Sequence, residues 1–283
     1  MMERAASPGP RPAPPAEGRP PGSPRSPASP GLAGWGLIAA LLLAPSITPA
    51  RGAVASPAAP PAEAGSAAPA DRYTATPPSA DGIGRRYMGR EISRVMGWQG
   101  AAWLEREERE KEERTDVLLR LLDLRPGLVV ADVGAGTGYL SRRMARAVAP
   151  SGRVLAVDVQ PEMVALLGQA AKREGLANIE PSLGTETDVR LAPGSVDLAV
   201  MVDVYHELAR PHEVLASIVR ALKPGGRVVF VEYRAEDPAV PIKTLHKMSE
   251  AQIRREAEVQ ALTWERTAPG LPWQHVVVFR KAP

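Results

Sequence analysis

Asp132, Asp158, Asp203 and His206 are the side chains of this 283-residue chain whose type and setting suit chemistry. Each stands at the end of an apolar run: Val129 to Ala131 before Asp132, Val154 to Val157 before Asp158, and Leu198 to Val202 before Asp203-Val204-Tyr205-His206-Glu207. A charge in that place marks the carboxyl end of a buried strand, the edge at which open α/β sheets bind ligands. Asp132 is followed by Gly134, Gly136 and Gly138, a G-x-G-x-G turn. Glycine serves such a turn because the backbone visits positive φ and because a Cβ would hold the chain away from a ligand. The dinucleotide fingerprint reads G-x-G-x-x-G and sets an anionic pyrophosphate on a helix N-terminus. Here the spacing differs, and the Asp132 carboxylate would repel a pyrophosphate while suiting a ligand with cationic groups.

Asp158 lies twenty residues beyond Gly138, where a carboxylate can accept both hydroxyls of an adenosine ribose. Leu222-Lys223-Pro224-Gly225-Gly226 then precedes another apolar run. With Asp132-x-Gly134-x-Gly136-x-Gly138, Asp158 and Leu-Lys-Pro-Gly-Gly in this order, residues 85–280 resemble the class I S-adenosylmethionine (SAM) dependent methyltransferases. The resemblance implies an α/β fold with a doubly wound, mostly parallel seven-stranded sheet, helices on both faces and a C-terminal antiparallel strand pair. It implies SAM as cofactor. Gly134, Gly136 and Gly138 would admit the amino-acid part of SAM, Asp132 its ammonium group, Asp158 with Gln160 the ribose edge, and Thr185 or Glu186 the adenine. Asp203 would lie beside the cofactor, and His206 near the methyl acceptor as a base. In this family the segment before the glycine turn folds over the cofactor, so Tyr87 and Arg90, with Tyr205 beside His206, are the expected acceptor-side residues.

The elements that would position these groups follow from periodicity. Ile92, Val95 and Met96 fall at i, i+3 and i+4, which predicts a short helix within Arg85–Gly97. Glu105 to Arg114 carries mixed charges at helical spacing, read as a solvated face with i,i+4 pairs. A helix over Asp116–Leu124 ends at Pro126-Gly127. Strand, glycine turn and a helix with Leu140, Met144 and Val148 on one face come next. Strands are expected at 153–159, 178–183, 195–202 and 227–233, with helices at 161–175 and 211–222 between them. Ser249 and Gln252 form a capping box for a helix to about Leu262. Two strands, 263–267 and 275–280, close the chain.

Composition divides the molecule. Residues 1–80 hold 18 of the 30 prolines, and such a segment buries too little apolar surface to offset its ordering entropy. Beyond residue 80 there remain 29 basic and 28 acidic residues, so no electrostatic argument favours nucleic acid as a partner. Arg4, Arg11, Arg19 and Arg25 precede an apolar run at 31–47, followed by Thr-Pro-Ala and Ala-Val-Ala cleavage-like sites ending at Ala50 and Ala55. The pattern reads as a signal sequence, and the run is too short and too interrupted for a transmembrane helix. The expected organisation is a leader at 1–55, a disordered linker at 56–82, a helical lid at 83–127 and a SAM-binding core at 128–283. Export to the periplasm or beyond follows if the leader is a signal, and the cytoplasm if it is not.

With no cysteine, the chain has no disulfide, thiolate zinc site or cysteine nucleophile. His206, Glu207 and His212 lack the H-E-x-x-H spacing, so no metal is expected. The reading is a SAM-dependent methyltransferase acting on a small-molecule acceptor. A nicotinamide dehydrogenase of the Rossmann type, or an exported nucleotide-binding or interaction protein without turnover, are the competing classes.

Overall fold

In the computed structural model, residues 72–283 are described. They fall within one compact unit, Ala64–Pro283. The leader at 1–55 and most of the stretch 56–82 lie outside the described residues.

The described chain opens on three short strands, β1 (Tyr73–Ala75), β2 (Gly82–Tyr87) and β3 (Arg90–Ser93), paired antiparallel in that order. This corrects the helix expected within Arg85–Gly97, and with it the all-helical lid. Tyr87 and Arg90 face each other across a two-residue turn, Met88-Gly89, in which φ is 46° and 96°. A tight hairpin needs positive φ at both central positions, and Gly89 supplies one without steric cost. Tyr73, Tyr87 and Ile92 pack beneath the hairpin as a small apolar cluster. β1 also shows that the residues expected to be a disordered linker are structured from Tyr73 onward.

Three short helices follow: α1 (Ala101–Leu104), α2 (Arg109–Glu113) and α3 (Thr115–Leu121). The charged stretch is not simply a solvated face. Arg109 and Glu113 are buried and joined Nε to Oε2 at 2.9 Å, and Arg106 reaches the other Glu113 oxygen at 2.7 Å.

The remainder alternates strand and helix. β4 (Val129–Val133), α4 (Tyr139–Val148), β5 (Arg153–Asp158), α5 (Pro161–Arg173) and β6 (Ile179–Leu183) lead to β7 (Val196–Val202), α6 (Pro211–Ala221) and β8 (Leu222–Arg234). A two-residue β9 (Lys247–Met248), α7 (Glu250–Ala257), β10 (Leu262–Ala268) and β11 (Gln274–Lys281) end the chain. The Ser249 hydroxyl caps α7 by accepting from the Gln252 backbone N–H, while the Gln252 side chain turns away to Glu256 and the Met88 carbonyl.

One sheet runs β10-β11-β8-β7-β4-β5-β6, with β9 added along β8. β5, β4, β7 and β8 are mutually parallel and β6 joins them in the same sense; β11 is antiparallel to β8, and β10 to β11. This is the doubly wound sheet with a terminal antiparallel pair that the sequence implied. Alternate residues face opposite sides, as strand geometry dictates. Ala131, Val133, Ala199, Met201 and Phe230 pack with Leu215 and Ile218 of α6 and Ile253 of α7. Val130, Val154, Val200 and Val229 pack with Leu118 of α3, Met144 of α4 and Leu167 of α5. The chain leaves β4 toward β5 and β6 and returns to β7 on β4's other side. That reversal opens a crevice at the carboxyl ends of β4 and β7.

Candidate functional site

The crevice is a cavity of about 500 Å³, within the range of small-molecule sites. Its floor is the turn after β4. Gly134 has φ of 74°, and a Cβ there would stand 2.5 Å from Val204 Cγ1; Gly138 has φ of 82°, and its Cβ would meet Leu167 Cγ at 2.7 Å. No other residue type fits these two positions without displacing its neighbours.

Asp132 at the end of β4 is buried and accepts from the Ser141 hydroxyl. Burial pushes its pKa up to about 6, against the opposing hydrogen bond from Ser141 and the nearby positive charge of Arg109. Asp158 at the end of β5 accepts from Gly136 N with Oδ2 and from Gln160 N with Oδ1, both at 2.9 Å. One carboxylate therefore braces the glycine turn and starts α5, and burial raises its pKa despite those bonds. The Gln160 side chain accepts from Trp98 N at 2.7 Å and donates to the Met96 carbonyl at 3.0 Å, fastening the covering segment to the sheet edge. Val95, Met96, Trp103 and Leu104 from that segment line the cavity, as do Gly134, Asp158, Gln160, Thr185 and Glu186. Thr185 closes its own turn by accepting from Asp188 N at 2.9 Å.

Beyond β7 the backbone is held in an uncommon shape. Asp203 has φ of 53°, a left-handed conformation that costs a non-glycine residue about 1–3 kcal/mol and persists where surrounding structure enforces it. Its Oδ2 accepts from Gln274 Nε2 at 3.2 Å, whereas Oδ1 is buried without a hydrogen-bond partner among the described residues. The Tyr233 hydroxyl is in the same position, and both residues line the cavity. A buried polar atom without a partner is costly.

His206 sits in the short turn after Asp203 and is buried. Its Nδ1 meets Glu232 Oε2 at 2.6 Å, and its Nε2 lies 3.2 Å from His246 Nδ1. Burial alone would lower the His206 pKa; the Glu232 carboxylate outweighs it and the net shift is upward. Burial and then the neighbouring His206 lower that of His246. Glu207 accepts from Met96 N at 3.2 Å, and burial pushes its carboxyl up to about 7.

Of the residues expected from sequence, Asp132, Gly134, Gly136, Asp158, Gln160, Thr185, Glu186, Asp203 and His206 line the cavity. Gly138 caps α4 immediately behind it. Tyr87, Arg90 and Tyr205, expected on the acceptor side, do not line it. Tyr87 is buried under the hairpin and reaches His212 Nδ1 at 3.3 Å; Tyr205 is fully buried edge-on against Phe230 in the core. Arg90 pairs with the buried Glu256 at 2.6 Å and donates to the His206 carbonyl at 2.9 Å. It positions the His206 turn rather than facing a ligand. Sequence reasoning missed Glu232, Tyr233 and His246. Glu232 left one signal, a lone acid inside the apolar run Val228 to Tyr233. His246 left none, since its partner is forty residues away.

Residues that fit SAM are thus present: a glycine cradle that a Cβ would fill, Asp132 and Asp158 at adjoining strand ends, and orphaned oxygens on Asp203 and Tyr233. Comparison with known proteins agrees. Residues 130–226 match the family model described as a methyltransferase domain. An uncharacterised 37.1 kDa protein in a transposon of Streptomyces fradiae is 42% identical over 117 residues, 41% of this chain and 33% of that protein. The demethylmenaquinone methyltransferase of Lactococcus lactis is 33% identical over 129 residues, 46% of this chain and 50% of that protein. The chain therefore spans a third to a half of the length of these relatives. In fold it is similar to a SAM-dependent methyltransferase from Aquifex aeolicus, with a TM-score of 0.62 and 24% identity over 66% of this chain and 99% of that one. The matched domain, the sheet order and the crevice agree: residues 130–226 carry a methyltransferase domain, set in a fold similar to that of a SAM-dependent methyltransferase.

Proposed function

We propose that the chain moves the methyl group of SAM to a small-molecule acceptor bound in the same cavity. The observation that carries this is convergence: the glycine cradle, Asp158, Asp203 and His206, the last held from behind by Glu232, all border one space. Bound SAM supplies a methyl group on a sulfonium, already a good leaving group. The protein's part is mainly alignment, worth up to about 7–11 kcal/mol in favourable cases. Asp132 holds the cofactor's ammonium and Asp158 its ribose, with Thr185 or Glu186 at the adenine. Glu232 keeps the proton of His206 on Nδ1, which leaves Nε2, 3.2 Å from His246 Nδ1, as the basic nitrogen, and the imidazole pair takes the acceptor's proton. Val95, Met96, Leu104, Leu208 and Ile242 make much of the wall apolar, which suits a compact, largely apolar acceptor bearing one ionisable group.

Calorimetric titration with SAM and with NAD tests the cofactor, and NAD binding without SAM binding would overturn the reading. Incubation with labelled SAM and fractionated small molecules tests the transfer. Binding without label in any fraction would favour a cofactor-binding protein without turnover. The leader supports export as a further proposal, tested by the N-terminal sequence of the mature protein. Cleavage near Ala50 or Ala55 supports it, and an intact leader overturns it.

A further inference from the structure

Spacing along the chain sets a metal aside, yet the fold gathers three metal-ligating side chains at the cavity. His206 and Glu207 come from the turn after β7, and His246 from the turn before β9. Their ligating atoms all lie within 4.8 Å of one another. Two nitrogens each about 2.1 Å from a metal ion, and separated as His206 Nε2 and His246 Nδ1 are, subtend an angle of about 100° at it, close to the tetrahedral value.

Behind the trio stands a carboxylate. Glu232 is fully buried, accepts from Tyr205 N at 2.8 Å with one oxygen, and holds His206 Nδ1 at 2.6 Å with the other. Metal-bound imidazoles characteristically donate their second N–H to such a group, which fixes the tautomer and turns the free nitrogen to the metal. With Glu207 and Glu232 ionised, their two negative charges would balance a divalent cation. A hydrogen bond between the two imidazoles accounts for their separation; Glu207, held by Met96 N at 3.2 Å, adds a carboxylate oxygen within 4.8 Å of both.

We infer that His206 Nε2, His246 Nδ1 and the Glu207 carboxylate bind one divalent transition-metal ion of the zinc type. Two imidazoles and a carboxylate are an accepted zinc donor set, and three protein ligands leave a position open toward the cavity. The use of that position rests on the methyltransferase reading; the binding does not. An acceptor oxygen on the open position becomes more acidic, as metal-bound water does, and releases its proton to solvent. Its lone pair then forms the bond to the methyl carbon while the carbon–sulfur bond breaks, its electron pair passing to sulfur. In the loaded protein the cation thereby takes over from His206 the task of ionising the acceptor.

The test uses the untagged full-length chain, stripped with chelator, titrated with Zn²⁺ in a calorimeter and with Co²⁺ in visible absorption. One equivalent of each ion is expected, with Co²⁺ giving the strong visible bands of a low-coordinate site. His246→Ala and Glu207→Gln should each weaken binding at least tenfold, whereas His212→Ala, which alters a histidine outside the cavity, should leave it unchanged. Circular dichroism confirms which variants fold; if His246→Ala does not, Glu207→Gln decides. No stoichiometric binding, or binding unmoved in a folded His246→Ala or Glu207→Gln protein, overturns the inference. SAM titrated into the stripped chain keeps the two readings apart: SAM binding without metal binding sinks the metal site alone, and metal binding without SAM binding sinks the methyltransferase alone.

Discussion

Asp132 is a carboxylate placed in the core and asked to hold a charge, and its burial sets a measurable conflict. Its pKa is pushed up to about 6, so in the empty protein ionisation costs stability, and the fold gains as pH falls through that value. Cofactor affinity should run the other way, because the ammonium group of SAM needs the ionised form. Titrations from pH 5 to 8 should show SAM binding weaken below about pH 6, and Asp132→Asn should weaken it by about 1.5–3 kcal/mol at pH 8, the range for a charged hydrogen bond, with the difference shrinking toward pH 5. A level profile for the unmodified protein would sink the assignment. His206 shifts stability in the same direction as Asp132. Its raised pKa means that its contribution to stability is complete below its ordinary value of 6.5 and disappears as pH rises through the higher folded value. Urea unfolding of the chelator-stripped protein should show that loss above pH 6.5, and Glu232→Gln should reduce the slope to the part that Glu207, raised to about 7, contributes. An unchanged slope in the variant would mean that another group produces it. These residues also mark what one chain of letters reveals. Asp132, Asp158 and the glycines announce themselves because their signal is local, a polar residue ending an apolar run. Tyr87, Arg90 and Tyr205 mislead because an aromatic or a cation near a motif looks like a ligand contact, whereas Tyr87 bonds His212, Arg90 pairs with Glu256 and the Tyr205 ring packs on Phe230. Glu232 and His246 meet His206 only across the folded sheet, from 26 and 40 residues away.

At the scale of elements, the hairpin is where pattern and fold part company. Ile92, Val95 and Met96 do recur at helical spacing, but Tyr87 and Ile92 are buried while Val95 is exposed, so the spacing described no common face. The turn at Met88-Gly89 won instead, because its backbone shape admits a hairpin and not a helix. Once formed, the hairpin acts on the site through one buried ion pair. Arg90 bonds Glu256 of α7 with Nε at 2.6 Å and Nη2 at 3.0 Å, and its remaining nitrogen holds the His206 carbonyl. Breaking such a pair from one side leaves a buried charge without its partner and costs about 3–5 kcal/mol, whereas replacing both partners by apolar residues is often neutral. Glu256→Ala should therefore unfold at markedly lower urea concentration, and Arg90→Met with Glu256→Met should recover most of the loss. The double variant should nevertheless bind SAM with nearly unchanged affinity, since neither residue lines the cavity. Equal stability of the single and double variants would show that the pair is not the joint. The sheet itself was legible because each apolar run ends in a punctuating charge or Pro-Gly turn. The 96–113 cover was not, because its ion pairs Arg106–Glu113 and Arg109–Glu113 are buried by neighbours the local sequence does not name.

For the whole molecule, the question is which part of the chain carries the activity. Both large apolar clusters, the hairpin, the cover and every residue placed at the cavity lie within Ala64–Pro283. The cover is tied to the glycine turn by Glu105, which accepts from the Thr137 hydroxyl at 2.5 Å and from Arg142 at 2.7 Å, and to the sheet edge by Gln160. A ligand between cover and sheet touches parts that unfold together, so its binding energy should appear undiminished as global stability. A chain beginning at Ala64 should then bind SAM with the affinity of the full chain and unfold in one transition. At a SAM concentration one hundred times its dissociation constant, linkage predicts about 2.7 kcal/mol of added stability. For a domain of this size that is a rise of about 5–10 °C in the unfolding midpoint. Differential scanning calorimetry of both chains across a SAM series checks this. A shift in the full chain that is missing from the shortened one would mean that residues before Ala64 complete the cofactor site, and a second transition that SAM does not move would mean that cover and sheet unfold apart.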